Sequence, residues 1–264
     1  MNVAAFLPSN QLTHLRAALG REHSLATAGN WGELSLLLRD TFCDIVVVGP
    51  SMHGLEVSQV RSVIGSFPST PVVLYVPVVP ASMRAVSDLA RHGIGQVVLY
   101  NFDDGIERFR RVLERQAGDP LAREMMARLA PALMRLDATL AAAVNRLFKE
   151  PHLFRVADDL AIAAGKSRRT MYRQFEEAGL ASPRRMVLGA RVLRGYSFLR
   201  DPGQTLDSTA RKLGFRTART FSERMRELVG ELAYGVRRRM TADEFQLAIP
   251  VEGVIDINKK ASNS

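Results

Sequence analysis

The sequence predicts an α/β doubly wound domain over residues 1–118, followed by an all-α region built around a repeated helical layout. Three observations carry this reading. Short apolar runs alternate with segments of helical apolar spacing in the first half; basic groups gather in the second half; and one pattern of helix, glycine and helix occurs there twice. At 264 residues and 47% hydrophobic content, the chain can bury two ordinary cores.

In chain order, the apolar runs fall at residues 3–7, 24–28, 44–49, 72–76 and 96–100, each bounded by Gly, Pro, Ser or Asn. They read as strands. The segments between and after them carry Leu12, Leu15, Ala18 and Leu19; Leu34, Leu37 and Leu38; Val57, Val60 and Ile64; Met83, Val86 and Leu89; and Ile106, Phe109, Val112 and Leu113. These spacings are helical. Strands that are apolar almost throughout are expected where helices cover both faces of a parallel sheet, so five strand-helix units predict a flavodoxin-like fold. Cys43, beside the run from Ile45 to Val48, has no second cysteine to pair with and reads as core.

That arrangement, with the third unit reading DIVVVGPSMHG, resembles the receiver domain of bacterial response regulators over about residues 1–116. The resemblance implies a phosphoacceptor aspartate ending the third strand, an acidic pair after the first, a hydroxyl after the fourth and a lysine after the fifth. Those positions hold Gly49, Pro8 and Ser9, Tyr75 or Val76, and Tyr100. Without carboxylates there is neither a phosphate acceptor nor a hard-cation site, so the domain reads as a degenerate receiver. Dimerisation or partner docking, small-molecule sensing and a purely structural role stay open for it. A ligand would sit at the carboxyl ends of the strands, near Gly49, Ser51, His53 and Gly54 or the stretch from Pro77 to Ser82. His53 is either a ligand contact or a solvated loop histidine. The second valine pair of PVVLYVPVVP is either a buried continuation of the strand or an adhesive surface.

Gly118, Asp119 and Pro120 mark a boundary, and residues 119–150 form a helical linker in which Pro131 is expected to kink or divide the helix. Met125, Leu129, Leu133, Leu136, Leu140 and Leu147 recur along it, as a face packed on its own domain or as a dimerisation helix.

Residues 1–120 hold 10 basic and 11 acidic groups, whereas residues 151–239 hold 19 and 9. The formal net charge of +9 therefore belongs to the second half, as either the footprint of a nucleic-acid partner or a solvated arginine-rich surface, and pattern decides between them. There, VADDLAIAAGKSRRTMYRQFEEAG reads as a first helix ending at Gly165 and a second that Ser167 caps, with Met171 and Phe175 inward and Arg168, Arg169, Tyr172 and Arg173 outward. The segment LDSTARKLGFRTARTFSERMRELVG repeats the layout. Leu206, Thr209, Ala210 and Leu213 are inward, Gly214 and Phe215 form the turn and Thr217 is the cap; Phe221 and Met225 face inward, and Ala218, Arg219, Ser222 and Glu223 outward. Both units read as helix-turn-helix motifs. A helix from Pro183 to about Arg200 lies between them, long enough to hold two recognition helices near the separation of successive major grooves.

Over about residues 135–239 the sequence resembles the AraC/XylS family of bacterial regulators. The first signature is met by Leu160, Ala161, Gly165, Ser167, Arg173 and Phe175, then by Gly179, Ser182, Pro183, Arg191 and Leu199; the second by Ala210, Gly214, Phe215, Thr217, Phe221, Arg224 and Gly230. The resemblance implies a DNA-binding domain over residues 151–240, with base contacts from Arg169, Tyr172 and Arg173 in the first unit and Arg219, Thr220, Ser222 and Glu223 in the second. Two departures stand out: one extra residue between Gly179 and Ser182, and Leu232-Ala233 where the family has Thr-Pro before the last helix.

The expected function is sequence-specific binding of double-stranded DNA by a cytoplasmic transcription regulator, with a homodimer and RNA polymerase as further candidate partners. The sequence specifies no effector. A regulatory adaptor acting through protein contacts is the alternative. An enzyme finds no support: the five histidines lack metal spacing, and Gly93-Ile94-Gly95 precedes a strand instead of following one, so neither a metal nor a cofactor is expected. No run is apolar enough to span a bilayer. Residues 241–264 are expected to form a frayed tail.

Overall fold

A computed structural model describes residues 1–50, 56–92 and 94–249, so Ser51, His53, Gly54 and Gly93 lie outside the described residues. The chain divides into two compact units, one comprising Met1–Asp119 with Ser197–Lys212 and the other Pro120–Tyr196 with Leu213–Ser264.

The first unit contains a parallel sheet of β1 (Asn2–Phe6), β2 (Ser24–Thr27), β3 (Ile45–Val48), β4 (Val72–Pro77) and β5 (Gln96–Tyr100) in the order β2-β1-β3-β4-β5. This is the flavodoxin-like order. Its helices are α1 (Ser9–Leu19), α2 (Trp31–Asp40), α3 (Val57–Ser66), α4 (Pro80–Ala90) and α5 (Ile106–Gln116). Alternate residues of each strand point to opposite faces, and at the central strands β3 and β4 both faces are buried. Ile45, Val47, Val73 and Tyr75 pack with Leu15 and Leu19 of α1 and Phe109 and Leu113 of α5. Val46, Val48, Leu74 and Val76 pack with Leu34 and Leu38 of α2, Val60 and Val63 of α3, and Leu89 of α4. Uniformly apolar strands are what such a two-sided core requires. Cys43 is buried in the second of these clusters. Val78 and Val79, just past β4, are exposed, as are Phe102 and Ile106 beyond β5. The buried-continuation reading of that valine pair is thereby corrected: the strand ends at Pro77, which brings no N–H to a ladder.

At the carboxyl edge of the sheet, the space beside Gly49 is filled. A Cβ on Gly49 would lie 2.6 Å from Gln11 Oε1, 2.7 Å from Leu7 Cδ2 and 2.8 Å from the Tyr75 carbonyl oxygen. Nearby, the Tyr75 hydroxyl donates to the buried Asp104 carboxylate, which also accepts the Asn101 N–H at 2.9 Å. Burial pushes Asp104 up, but these two donors hold it below the usual carboxylate range. Its charge thus serves the fold.

The segment Ser197–Lys212 supplies polar partners within the same unit. Gln204 Nε2 donates to the Leu38 carbonyl at 3.0 Å, and buried Lys212 Nζ donates to the same oxygen. Together they satisfy a carbonyl in the last turn of α2, where the helix leaves acceptors unpaired. The Asp201 carboxylate accepts the Ser69 N–H at 2.8 Å, and the Gly203 N–H reaches the Ser66 carbonyl at 2.8 Å. Gly203 has no room for a side chain, since its Cβ would lie 2.7 Å from Phe67 Cζ. Helix α11 (Leu206–Lys212) belongs to this segment.

The second unit is helical: α6 (Pro120–Leu133), α7 (Ala138–Lys149), a short 3-10 turn at Pro151–Leu153, α8 (Ala157–Ala164), α9 (Arg168–Glu177), the larger part of α10 (Pro183–Arg200), α12 (Ala218–Val229), α13 (Ala233–Arg239) and α14 (Ala242–Ala248). Helix α6 runs through Pro131 to Leu133, and the break falls instead before Asp137, whose carboxylate caps α7 by accepting the Thr139 and Leu140 N–H groups. Met125, Leu129, Leu133, Leu136, Leu140 and Leu147 are all buried. The expectation of a frayed tail is corrected over its first part. Thr241 caps α14, Phe245 is fully buried and stacks on Tyr196 at 4.2 Å, and Gln246 Nε2 donates to Glu124 of α6 at 3.0 Å. Residues 250–264 lie outside the described residues.

Gly49→Ala is expected to lower the unfolding free energy by roughly 1–3 kcal/mol through overpacking, as denaturant melts would show. Gly49→Asp, incubated with acetyl phosphate, should gain no phosphoryl mass in intact-protein mass spectrometry; a mass gain at residue 49 would refute the filled pocket.

Candidate nucleic-acid interface

The first helix-turn-helix unit is fixed by short-range chemistry. The Asp159 carboxylate accepts the N–H groups of Arg155 and Val156 at 2.6 and 3.0 Å, starting α8. Gly165, at φ 62° and ψ 33°, ends it in the left-handed conformation that glycine adopts without penalty. Ser167 Oγ then accepts the Thr170 N–H at 3.1 Å and starts α9, whose Met171 and Phe175 are buried. On the opposite face, Arg168, Arg169 and Arg173 are exposed and Tyr172 is half-buried. The Arg168 guanidinium lies 5.6 Å from the centre of the Tyr172 ring and 3.6 Å from Asp158, while Arg173 lies 3.9 Å from Glu177. Asp137 ties α9 back to the start of α7: its carboxylate accepts Gln174 Nε2 at 2.8 Å and pairs with Lys166 at 3.0 Å. Donors from Thr139, Gln174 and Leu140 hold the Asp137 carboxyl far below the usual range.

The second unit uses the same devices: Gly214 at φ 71°, then Thr217 Oγ1 accepting the Thr220 N–H at 3.1 Å, with Phe221 and Met225 buried. Arg219 is 88% exposed, and its Nε donates to Glu223 Oε1 at 2.8 Å, so the two candidate base readers are paired with each other. Ala218 and Thr220 are half-buried. The Ser222 hydroxyl accepts the Ala233 N–H at 3.1 Å. The family's proline would bring no N–H at position 233, so Ser222 pairs the donor that Ala233 adds, and Ser222 serves the fold. The extra residue between Gly179 and Ser182 is absorbed by burying Leu180 and Ala181.

Helix α10 is buried nearly all round, and Arg191 on it is 7% exposed. Its Nε and Nη2 donate to the Leu213 carbonyl at 3.1 and 2.8 Å, its Nη1 donates to the Arg155 carbonyl at 3.2 Å, and its guanidinium lies 3.9 Å from the Phe215 ring centre. Burial, with Arg155 adding to it, pushes its pKa down to about 10, so it remains charged at neutral pH. One side chain thus joins the entry to α8 with the turn before α12. Gly195, four residues on, admits the Phe221 ring: a Cβ there would lie 2.6 Å from Phe221 Cζ. Sequence reasoning named Arg191 only as a family position and passed over Gly195, because both act through residues distant in the chain.

Between the outward faces of α9 and α12 lies a cleft of about 550 Å³. Arg155, Arg168, Arg184, Arg191, Arg216 and Arg224 line it, with Tyr172 and Thr220 from the two recognition helices and a single acid, Asp158. Arg155, Arg184 and Arg216 escaped the sequence reading because none lies on a recognition helix. Among the described residues there is no cluster of metal-ligating side chains, and no helix is long and apolar enough to cross a membrane.

Residues 160–239 match the family described as a helix-turn-helix domain, and this segment is an AraC-type helix-turn-helix domain. Among solved structures, the chain is similar to FixJ from B. japonicum, at 12% identity and a TM-score of 0.38, covering 84% of this chain and 96% of that one. It is also similar to NtrX from Brucella abortus, at 15% identity and a TM-score of 0.39; the match covers 64% of this chain but only 41% of the length of that one. No curated protein matches.

Arg191→Ala should cost about 2–3 kcal/mol of unfolding free energy, the expected effect of removing charged donors from buried carbonyls. Arg191→Lys should recover only part of it, since an ammonium cannot reproduce the guanidinium fork. Asp137→Ala should cost about 1 kcal/mol at pH 7 through the lost cap. Because the folded carboxyl is depressed, this stabilisation is present above the unfolded pKa of about 4 and is lost as pH falls below it. Urea melts of wild type and variant should therefore converge on acidification.

Proposed function

We propose that, residues 160–239 being an AraC-type helix-turn-helix domain, the chain is a sequence-specific DNA-binding transcription regulator that inserts α9 and α12 into successive major grooves. The observation that carries this reading is the pairing of two capped helices in one unit, each with an arginine-bearing outer face and with a basic cleft between them. In this reading Arg169, Tyr172 and Arg173 contact bases from α9, while Arg219 grips a guanine edge from α12 and Glu223 accepts from a neighbouring cytosine. The Arg219–Glu223 pair pre-orients both side chains along the helix. Arg168, Ala218 and Thr220 complete the surface facing the duplex. Ser222 contributes by holding α13, and its hydroxyl is already engaged.

The amino-terminal unit acts by dimerisation, partner docking or ligand sensing rather than by phosphorylation. Support comes from the filled space at Gly49 and from the exposed Val78, Val79, Phe102 and Ile106. That apolar surface also favours a second reading, an adaptor that works through protein contacts with little DNA binding.

Selection of random duplexes on the purified full chain should enrich a motif of two blocks about one helical turn apart. Arg219→Ala should weaken binding to that motif by about 1–3 kcal/mol more than binding to random duplex. Equal losses on both would make Arg219 a phosphate contact, and an absence of enrichment would favour the adaptor.

A further inference from the structure

The cleft between α9 and α12 carries more positive charge than the recognition helices use. Six arginines line it against one acid. Three are already engaged: Arg168 faces Asp158, Arg224 pairs with Glu227, and Arg191 is committed to backbone carbonyls. The other three come from separate elements. Arg155 precedes α8, Arg184 stands in the first turn of α10, and Arg216 sits between the Gly214 turn and the Thr217 cap. All three are exposed, and among the described residues the guanidinium of none is paired with a carboxylate, the Asp159 bond to Arg155 being to its backbone N–H. Holding like charges around one concavity costs energy through mutual repulsion, and an anion entering it relieves that cost. The repulsion is already visible where Arg155 helps lower the pKa of Arg191.

We propose that Arg155, Arg184 and Arg216 form a phosphate clamp for the stretch of sugar-phosphate backbone that separates the two major grooves. The assignment rests on the DNA-binding reading above. Two helices on one face of a duplex, each in its own groove, necessarily have backbone between them, and the cleft lies between α9 and α12. Its floor suits a strand. Gly214 presents no side chain, and half-buried Leu188 offers apolar surface to sugars beneath the rim of guanidinium groups. Exposed arginines on flexible stems suit sequence-independent contacts and leave base reading to the helices. The clamp thus fixes register and contributes affinity that falls with salt.

The test is a salt series on the full-length protein with two duplexes, one bearing the selected motif and one random. A variant with Arg155, Arg184 and Arg216 all changed to Ala should weaken binding to both duplexes alike. It should also make the slope of log affinity against log salt shallower by about 2–3, near 0.9 for each phosphate no longer neutralised. The same motif should still be selected. Changing the three to Lys should restore the slope, because charge is retained; failure of the Lys variant would assign the arginines a structural role and overturn the clamp. A wild type that binds its motif while the Ala variant keeps the full slope would overturn the clamp and leave the DNA-binding reading standing. A wild type that binds neither duplex would overturn both.

Discussion

The helical unit depends on one buried guanidinium. Arg191 donates to carbonyls at the entry to the first helix-turn-helix and at the turn of the second, so the two motifs share a single anchor. Neither acceptor lies within a helix, and the Leu213 carbonyl would otherwise be a buried polar group without a partner. Burying a charge is costly unless it is fully hydrogen-bonded. Here the carbonyls and the face of Phe215 provide that environment. Gly195 and Phe221 add a close steric fit on the same helix. Polar bridge and packed ring together restrict how α10 and α12 can meet.

In the α/β unit, packing sets the composition of the central strands. The central strands β3 and β4 are apolar throughout because helices cover both faces, a demand of packing that is independent of catalysis. At the carboxyl edge, where ligands of such sheets bind, the space beside Gly49 is filled by side chains. Leu7 and Gln11 occupy the space beside Gly49, while Asp104 answers to Tyr75 and Asn101.

Much of this was legible in the sequence where the cause is local. Apolar runs mark all five strands to within one or two residues, since a two-sided core dictates the composition of each strand by itself. Gly165 and Gly214 are readable as turns, and Ser167 and Thr217 as caps, because their partners lie within a few residues. The limit comes with distance. Ser222 looks outward by helical period, yet its hydroxyl is taken by an N–H eleven residues on. Helix α14, seven residues long, is too short to announce itself; it is held by Tyr196 and Glu124. Arginines in turns and at helix starts look like solvated charges until the fold brings three of them to one cleft.

The return of Ser197–Lys212 to the first unit bears on modularity. The chain passes between units three times, so neither unit is one uninterrupted stretch. A fragment ending at residue 119 looks whole by composition, yet it leaves behind the side chains that satisfy the Leu38 carbonyl and the Ser69 amide. A piece beginning at residue 120 carries the same side chains away from their partners. Recombination that trades receiver-like and DNA-reading halves as cassettes would therefore have to exchange these two matched surfaces together, and their mismatch is a barrier to shuffling that a linear map of domains does not reveal.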